Sequence, residues 1–215
     1  MQLSFEGKTM DHLAIDLIQS YEPLEGYYLG FSGGKDSVVI YDLTKRAGVK
    51  FDAHYNVSPI DPPQIYDFIK SNYPEIAWDY HARGFWGKRF LSNGLPMRPP
   101  IGHRWCCKYI KEAGGLGRTK ILGMRKEESQ GRSKYSCFKE LPKNTFWLLP
   151  ILNWSTGDVW QYISERNLSV CSLYREGFMR IGCVLCPYHG AEETRFELQK
   201  FPKIAANWRR ASDRY

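Results

Sequence analysis

The sequence predicts an α/β fold with a doubly wound, mainly parallel sheet that has helices on both faces. Short apolar runs typical of buried strands alternate with longer segments in which apolar residues recur at helical spacing. The first of these strands leads directly into a glycine turn and an apolar helix, and no repeat interrupts the alternation. Hydrophobic residues make up 43% of the 215 residues, enough for one domain with a substantial core. We therefore expect a single domain over residues 1–215.

The predicted elements follow one another in a regular order along the chain. Strands are predicted over residues 27–31, 49–57, 76–80 and 119–124, with a further apolar stretch over 147–151. Helices are predicted over residues 10–21, 37–46, 62–72 and from 156 onward, with a helical tail over 192–210 that is broken at Pro202. Ser155 and Asp158 match a capping pair at the start of the helix from 156. Ligands of such sheets bind beyond the carboxyl ends of the strands, where the glycine turn lies.

Composition excludes several classes of protein. No apolar run approaches the roughly 18–20 residues that a membrane span needs, and the N-terminus lacks the apolar region of a secretory signal. Six cysteines spread over 215 residues are not the dense framework of a small disulfide-stapled domain. These features predict a cytoplasmic protein with no membrane partner.

The positive charge is concentrated in one segment. The net charge is +7, and residues 81–143 contain 15 Lys and Arg against 4 Asp and Glu. A solvated face is the usual explanation of a simple charge run. Because this segment is also rich in Gly, Pro and Cys, an anion site is the stronger interpretation. The anion is either a polyanionic nucleic acid, DNA or tRNA, or a small sulfated or phosphorylated nucleotide.

The turn after the first strand has the composition of an anion-binding loop. It consists of Ser32, Gly33, Gly34, Lys35, Asp36 and Ser37. The two glycines allow a sharp turn and a close backbone approach, and their N–H groups form a nest for an anion. The two serines add hydroxyl donors, Lys35 adds a positive charge, and Asp36 would position Mg²⁺ or orient the loop. The alternative is an ordinary glycine turn with a helix cap.

This turn resembles the pyrophosphate loop (PP-loop), Ser-Gly-Gly-x-Asp-Ser, of the adenine nucleotide α-hydrolase-like superfamily. The resemblance implies a Rossmann-like domain that binds ATP or an adenylated sulfate and acts at its α-phosphate. Lys35 and Asp36 are then the candidate catalytic residues, with Lys35 stabilising charge on the leaving group. The pattern is not a Walker A loop, which would need glycine in place of Leu29 and Ser or Thr in place of Asp36.

Four of the six cysteines form two pairs, one adjacent and one in a C-x-x-C turn. They are Cys106, Cys107, Cys183 and Cys186. A C-x-x-C turn directs two sulfur atoms toward one centre, whereas adjacent cysteines on a helix point about 100° apart. This geometry suits a cubane, in which each sulfur binds a different iron, better than one tetrahedral zinc ion. We therefore expect a 4Fe–4S cluster held by residues 104–111 and 181–190, with structural zinc as the alternative.

The cysteine pairs are similar to those of the adenylyl-sulfate (APS) and phosphoadenylyl-sulfate (PAPS) reductase family, whose cluster-bearing members hold a 4Fe–4S cluster on such a set. The resemblance covers about residues 25–200. It includes a loop similar to the family's Gly-(Ile/Met)-Arg-x-x-Glu-Ser-x-x-Arg substrate loop. That loop implies further nucleotide-binding residues, among them arginines that can hold phosphate or sulfate oxygens. They are Gly123, Arg125, Glu128, Ser129 and Arg132.

The chain departs from the reductases after the second cysteine pair. The reductases carry a catalytic cysteine in a later Glu-Cys-Gly-Leu-His segment, whereas no cysteine follows Cys186 in these 215 residues. Reductase chemistry of that form therefore lacks its nucleophile.

Three functions remain open at this point. In the first, the protein activates a substrate with ATP, releases pyrophosphate and serves sulfur transfer to a nucleic acid bound by segment 81–143, with a separate sulfur donor. In the second, it is an APS or PAPS reductase that uses a non-standard thiol or one from a partner such as a thioredoxin-like protein. In the third, it is a non-catalytic nucleotide-sensing subunit that carries the cluster. The sequence allows an oligomer in each case.

Overall fold

The computed structural model describes residues 7–82, 84–97 and 102–214. Its six-stranded sheet has the order β3-β2-β1-β4-β6-β5. The strands are β1 Tyr27–Gly30, β2 Phe51–Asn56, β3 Ala77–Asp79, β4 Thr119–Ile121, β5 Phe138–Leu141 and β6 Thr145–Leu148. β1 is parallel to β2 and β4, and β4 is parallel to β6, whereas β5 is antiparallel to β6. The predicted α/β fold with a mainly parallel sheet is confirmed.

The helices of the described residues include every one that the sequence predicts. They are α1 Met10–Ser20, α2 Lys35–Ala47, α3 Pro63–Asn72, α4 Lys88–Asn93, α5 Thr156–Glu165, α6 Ala191–Lys200 and α7 Pro202–Ser212. α2 begins two residues earlier than predicted because Gly34 takes the N-cap position in an extended conformation. The Ser155–Asp158 capping box at α5 is present. The helical tail is interrupted at Pro202, as predicted.

Among the strands and α-helices given above, two have no counterpart in the prediction. β5 is a short edge strand of sequence Phe-Lys-Glu-Leu, and its pairing with β6 holds it in place. α4 is only six residues long. Neither is long enough to show a clear apolar period, so the sequence pattern alone gives no signal for them.

The chain forms two compact units, each made of three segments. Unit 1 contains Met1–Tyr55, Phe68–Ala77 and Gly115–Ser172, and unit 2 contains Asn56–Asp67, Trp78–Gly114 and Leu173–Tyr215. In unit 1, α2 packs against both α1 and α5. In unit 2, an aromatic cluster joins Phe85, Phe90, Trp105 and Trp208. No helix among the described residues has the length and apolar character required to cross a membrane.

Candidate nucleotide loop and cysteine site

The glycine turn lies at the carboxyl end of β1 in unit 1 and leads directly into α2. Gly33 has a φ of 72°, in the left-handed region that favours glycine. Gly34 is the N-cap of α2 and has no side chain with which to accept from the first-turn N–H groups, which also have no acceptor within the helix. These backbone donors and the positive end of the helix dipole therefore suit an anion.

The two serines brace this turn internally. The Ser37 hydroxyl donates to the Gly34 carbonyl at 2.8 Å, and it accepts from the Ser32 backbone N–H and from the Ser32 hydroxyl, each at 3.2 Å. The Ser32 hydroxyl in turn accepts from the Gly34 N–H at 3.4 Å. The loop is thus shaped by its own hydrogen bonds. Direct contact between these hydroxyls and a ligand stays a prediction.

Lys35 and Asp36 form the first turn of α2 and pair with each other. The Lys35 Nζ atom lies 3.0 Å from Asp36 Oδ2, and the Arg125 Nε atom lies 2.6 Å from Asp36 Oδ1. Because both carboxylate oxygens face cations, the geometry suits orientation of the loop better than coordination of Mg²⁺. Lys35 is buried, so its ammonium group is held at the turn.

Arg125 lies at the centre of a buried network in unit 1, with its side chain 3% exposed. Besides Asp36, its guanidinium donates to Glu127 at 2.9 Å, to the Trp154 carbonyl at 3.3 Å and to the Thr156 hydroxyl at 3.2 Å. Glu127 also accepts from the Thr156 backbone N–H at 2.7 Å. Arg125 therefore ties the glycine turn to the loop after β4 and to the start of α5. Its guanidinium is bonded to protein groups, which is typical of a positioning residue.

The remaining predicted residues of the loop after β4 also lie beside one another. Glu128 accepts from the Arg125 backbone N–H at 3.0 Å and pairs with Arg132. The Ser129 hydroxyl accepts from the Arg132 N–H at 3.3 Å. Since parallel strands end at one edge of a sheet, this loop and the glycine turn adjoin. The structure thus brings the predicted nucleotide-binding residues together in two neighbouring loops.

Gly123 packs against the glycine turn at the backbone of Asp36. A Cβ atom at this position would lie 2.7 Å from the backbone oxygen of Asp36, closer than real Cβ contacts allow. Glycine is therefore required here by packing of one loop on the other. This role differs from a direct nucleotide contact, which stays a prediction for Gly123.

The adjacent cysteine pair of unit 2 lies where a helical turn becomes a π-helical turn, Cys107–Lys111. Trp105, just before the pair, is fully buried, and its indole N–H donates to the Gly94 carbonyl at 3.0 Å. Ile110, just after the pair, is also buried. These apolar anchors on both sides fix the direction in which the two thiols point.

The C-x-x-C turn of unit 2 is held by bonds to its middle residues. The Val184 N–H donates to the Ile60 carbonyl at 2.7 Å, and the Val184 side chain is fully buried. Leu185 has a φ of 58°, in the left-handed region that is unusual for leucine. Its N–H donates to the carboxylate of Glu197 at 2.7 Å. Glu197, on α6, is buried and also bonds the His189 Nδ1 atom at 3.0 Å.

The four cysteines of these two pairs all lie in unit 2, and their thiols affect one another's pKa; that they bind one metal group stays a prediction. Hydrogen bonding from the Cys106 thiol lowers the pKa of Cys107, and the same bond raises the pKa of Cys106. Burial raises the pKa of Cys183 and of Cys186, and the nearby Cys107 adds to both shifts. Cys137 and Cys171 belong to unit 1.

Two cations of unit 2 face the cysteines. The Arg104 Nη2 atom lies 3.0 Å from the Cys107 sulfur. Lys111 forms an ion pair with the buried Asp61. Burial by itself would lower the pKa of Lys111, but the attraction of Asp61 and Cys183 is stronger and raises this pKa. A thiolate-bound iron–sulfur cluster carries negative charge, which these cations would offset. The donor set and its charge environment therefore fit the expected cluster.

Three acidic residues of these sites were not predicted. Glu127, Glu197 and Asp61 each accept bonds from residues of a predicted site or its supports. Glu127 has a weak signal in the sequence, because it stands inside the substrate-loop motif. Asp61 and Glu197 reach the cysteine site only through tertiary folding, so no spacing rule could have found them.

Comparison with known proteins agrees with this architecture. A family model described as the phosphoadenosine phosphosulfate reductase domain matches residues 26–189. The chain is 36% identical over 167 residues to an adenosine 5'-phosphosulfate reductase of Oceanobacillus iheyensis, covering 72% of this chain and 68% of that protein. It is 30% identical over 202 residues to an uncharacterised protein of Methanocaldococcus jannaschii, covering 84% of this chain.

The chain spans 40% of the length of that archaeal relative. A phosphoadenylyl-sulfate reductase from Candida auris, solved as a phosphate complex, shares the fold, with a TM-score of 0.56 and 19% identity over 85% of this chain and 97% of that one. The matched family region includes the glycine turn and both cysteine pairs. The chain therefore belongs to the phosphoadenosine phosphosulfate reductase domain family.

Proposed function

We propose that this chain binds ATP through the glycine turn, acts at its α-phosphate and activates an acceptor for sulfur transfer to a nucleic acid. The observation that carries the proposal is the turn itself, in which the left-handed Gly33 leads through the N-cap Gly34 into the positive N-terminal end of α2. The hydrogen bonds of Ser32 and Ser37 and the ion pairs of Asp36 are internal to the protein and support this shape. Such preorganisation favours an anion over water.

The reaction follows from the charges at the turn. An acceptor oxygen attacks the α-phosphate, the bond to the β-phosphate oxygen breaks, and pyrophosphate leaves with the electron pair. The N–H groups of the turn hold the departing pyrophosphate, and Lys35 stabilises its developing charge. Asp36 and Arg125 hold Lys35 and the loop in position. A sulfur nucleophile from a separate donor then displaces AMP from the activated acceptor.

The cysteine site belongs to the same proposal. Cys106, Cys107, Cys183 and Cys186 would hold a 4Fe–4S cluster, with Arg104 offsetting its charge. When bound, such a cluster supplies a Lewis-acidic or sulfur-binding centre. We expect a cytoplasmic location, because a reducing compartment would keep these thiols available to bind iron.

The proposal is tested by following ATP in anaerobically purified protein. We expect ATP to be converted to AMP and pyrophosphate, with faster turnover when tRNA or DNA is added. Lys35→Ala should reduce turnover at least 100-fold, about 2.7 kcal/mol of transition-state stabilisation, because a leaving-group charge loses its partner. Unchanged turnover in Lys35→Ala would contradict the scheme. Iron and sulfide analysis of the same sample separates a cluster from zinc.

Sulfonucleotide reduction is the second candidate function. The similarity of this chain to the Oceanobacillus iheyensis reductase favours it. In that case the glycine turn binds adenylyl sulfate, and a thiol from outside this chain attacks the sulfate sulfur. Sulfite release from adenylyl sulfate in the presence of thioredoxin, with no pyrophosphate formed from ATP, would select this function. Tight nucleotide binding with neither turnover would indicate a nucleotide-sensing subunit.

A further inference from the structure

We infer that unit 2 binds single-stranded nucleic acid on a surface beside the cysteine site. This inference rests on the proposed function. It assigns the surface that would bind the nucleic acid to which sulfur is transferred. We call the surface the cationic ridge, and it is composed of Lys88, Arg89, Arg104, Lys108, Tyr109 and Tyr188. Five of these six residues, all except Tyr188, lie within the basic segment 81–143. Residues 83 and 98–101 of that segment lie outside the described residues.

The first argument is charge. Residues 80–111 contain seven Lys and Arg and no Asp or Glu. Lys88, Arg104 and Lys108 are exposed, and Arg89 is half-buried. Within the part of the chain that the structure describes, Lys88, Arg89 and Lys108 form no ion pair with a carboxylate, whereas Lys111 and Lys200 of the same unit do. Lys88, Arg89 and Lys108 therefore present positive charge that no carboxylate of the described residues neutralises.

The second argument is the aromatic side chains between these cations. The Arg89 guanidinium lies 4.1 Å from the ring centroid of Tyr109, and the Lys108 Nζ atom lies 5.3 Å from it. The Arg104 guanidinium lies 4.7 Å from the ring centroid of Tyr188, which is 41% exposed. Cations over rings lose little conformational freedom when they bind phosphate. Exposed rings and guanidinium planes also stack on unpaired bases.

The third argument is location. Arg104 bonds the Cys107 sulfur at 3.0 Å and influences Cys186 electrostatically. Lys108 and Tyr109 follow Cys107 directly, and Tyr188 lies two residues after Cys186. A nucleic-acid strand on the ridge would therefore pass the cysteine site.

A single strand fits these features better than a duplex. In a duplex the base faces are stacked on one another, so the tyrosine rings and guanidinium planes of the ridge would have no base to contact. Phosphates alone would then be recognised, as by any basic surface. The alternation of cations and rings is typical of surfaces that bind unpaired bases.

The test measures binding of 20-nucleotide single-stranded RNA and DNA to the anaerobically purified protein by fluorescence anisotropy at several salt concentrations. Each phosphate neutralised contributes about −0.7 to the slope of log K against log salt for a single strand, so four cations predict a slope of about −2.8. The triple variant Lys88→Gln, Arg89→Gln, Lys108→Gln should reduce the slope to about −0.7 and weaken binding at least tenfold. Arg104 is left intact because it contacts a cysteine.

The matched control removes three exposed cations of unit 2 outside the ridge, as Arg195→Gln, Lys203→Gln and Arg209→Gln. We expect this variant to keep the affinity of the unmodified protein. Tighter binding of RNA than DNA, or the reverse, identifies the kind of acceptor. Equal weakening by both triple variants would overturn the inference, as would equal binding of duplex and single strand or equal competition by polyglutamate.

Two readouts separate this inference from the proposed function. Iron content and nucleotide turnover of the unmodified protein, measured in the same preparation without nucleic acid, test the function alone. Turnover with no single-strand binding would contradict the ridge and leave the nucleotide chemistry standing. Binding with no turnover would contradict the nucleotide chemistry and leave the ridge as a nucleic-acid surface.

Discussion

The glycine turn of unit 1 and the cysteine site of unit 2 differ in how their polar groups are satisfied. At the turn, Lys35 and Arg125 both form ion pairs with Asp36. At the cysteine site, the half-buried thiols interact chiefly with each other, with Arg104 and Lys111 as the facing cations. The first site is therefore held by its own ion pairs, whereas we expect the second to obtain part of its stability from the proposed metal group.

The largest expected effect is the loss of iron binding at the cysteine site, and it tests whether this site depends on a metal group. Cys183→Ser should abolish iron binding, because a serine hydroxyl is a poor replacement for one of the four proposed thiolate ligands. Iron per chain and the visible absorption of the purified protein measure it. Cys137→Ser, at a half-buried thiol of unit 1, is the control and should retain full iron content. Retention of iron in Cys183→Ser would show that the quartet is not the ligand set.

The next effect tests whether the turn is held by its internal ion pairs. Arg125→Met should lower the free energy of unfolding by about 3 kcal/mol, because it leaves Asp36 and Glu127 without their buried partner. Urea denaturation measures it. The control is Arg166→Met, whose exposed side chain pairs with Asp42 at 3.2 Å, and which should change stability by less than about 0.5 kcal/mol. Equal losses in both variants would mean that the network has no special role.

A glycine substitution tests the same preformed loop through packing. Gly123→Ala should weaken nucleotide binding by about 2 kcal/mol, because its Cβ atom would displace the backbone of Asp36. Calorimetric titration with ATP, or with adenylyl sulfate, measures the change. Gly131→Ala lies in the same loop, where a Cβ atom meets its nearest neighbour at 3.9 Å, and it should bind nucleotide normally. Normal binding by Gly123→Ala would argue that the two loops need not adjoin.

The smallest effect concerns the support of the C-x-x-C turn. Glu197→Gln should release iron to a chelator about tenfold faster, because the Leu185 N–H and the His189 ring lose a charged acceptor. The rate of absorbance loss under anaerobic chelation measures it. Glu193→Gln is the matched control on the same helix, with a carboxylate 3.6 Å from His189 and largely exposed. If both variants release iron at the same rate, Glu197 does not position the turn.

Much of the fold could be predicted because its elements carry strong local signals. The capping box at Ser155 and the break at Pro202 occur where the sequence places them. The start of α2 was predicted two residues late, because Lys35 and Asp36 resemble turn residues until Gly34 is known to be the N-cap. β5 was missed, because an edge strand of four residues has no periodicity to detect.

The sequence by itself determined the glycine turn, the two cysteine pairs and the parallel sheet, since each depends on residue types at short spacing. Only the tertiary structure decided what Arg125 does, because its partners Asp36, Trp154 and Thr156 are brought to it by different elements. The same holds for Glu197, which meets Leu185 through the packing of α6. A local sequence pattern shows which polar groups a segment contains. Hydrogen bonds between distant segments form only when the chain folds, so the pattern cannot identify their partners.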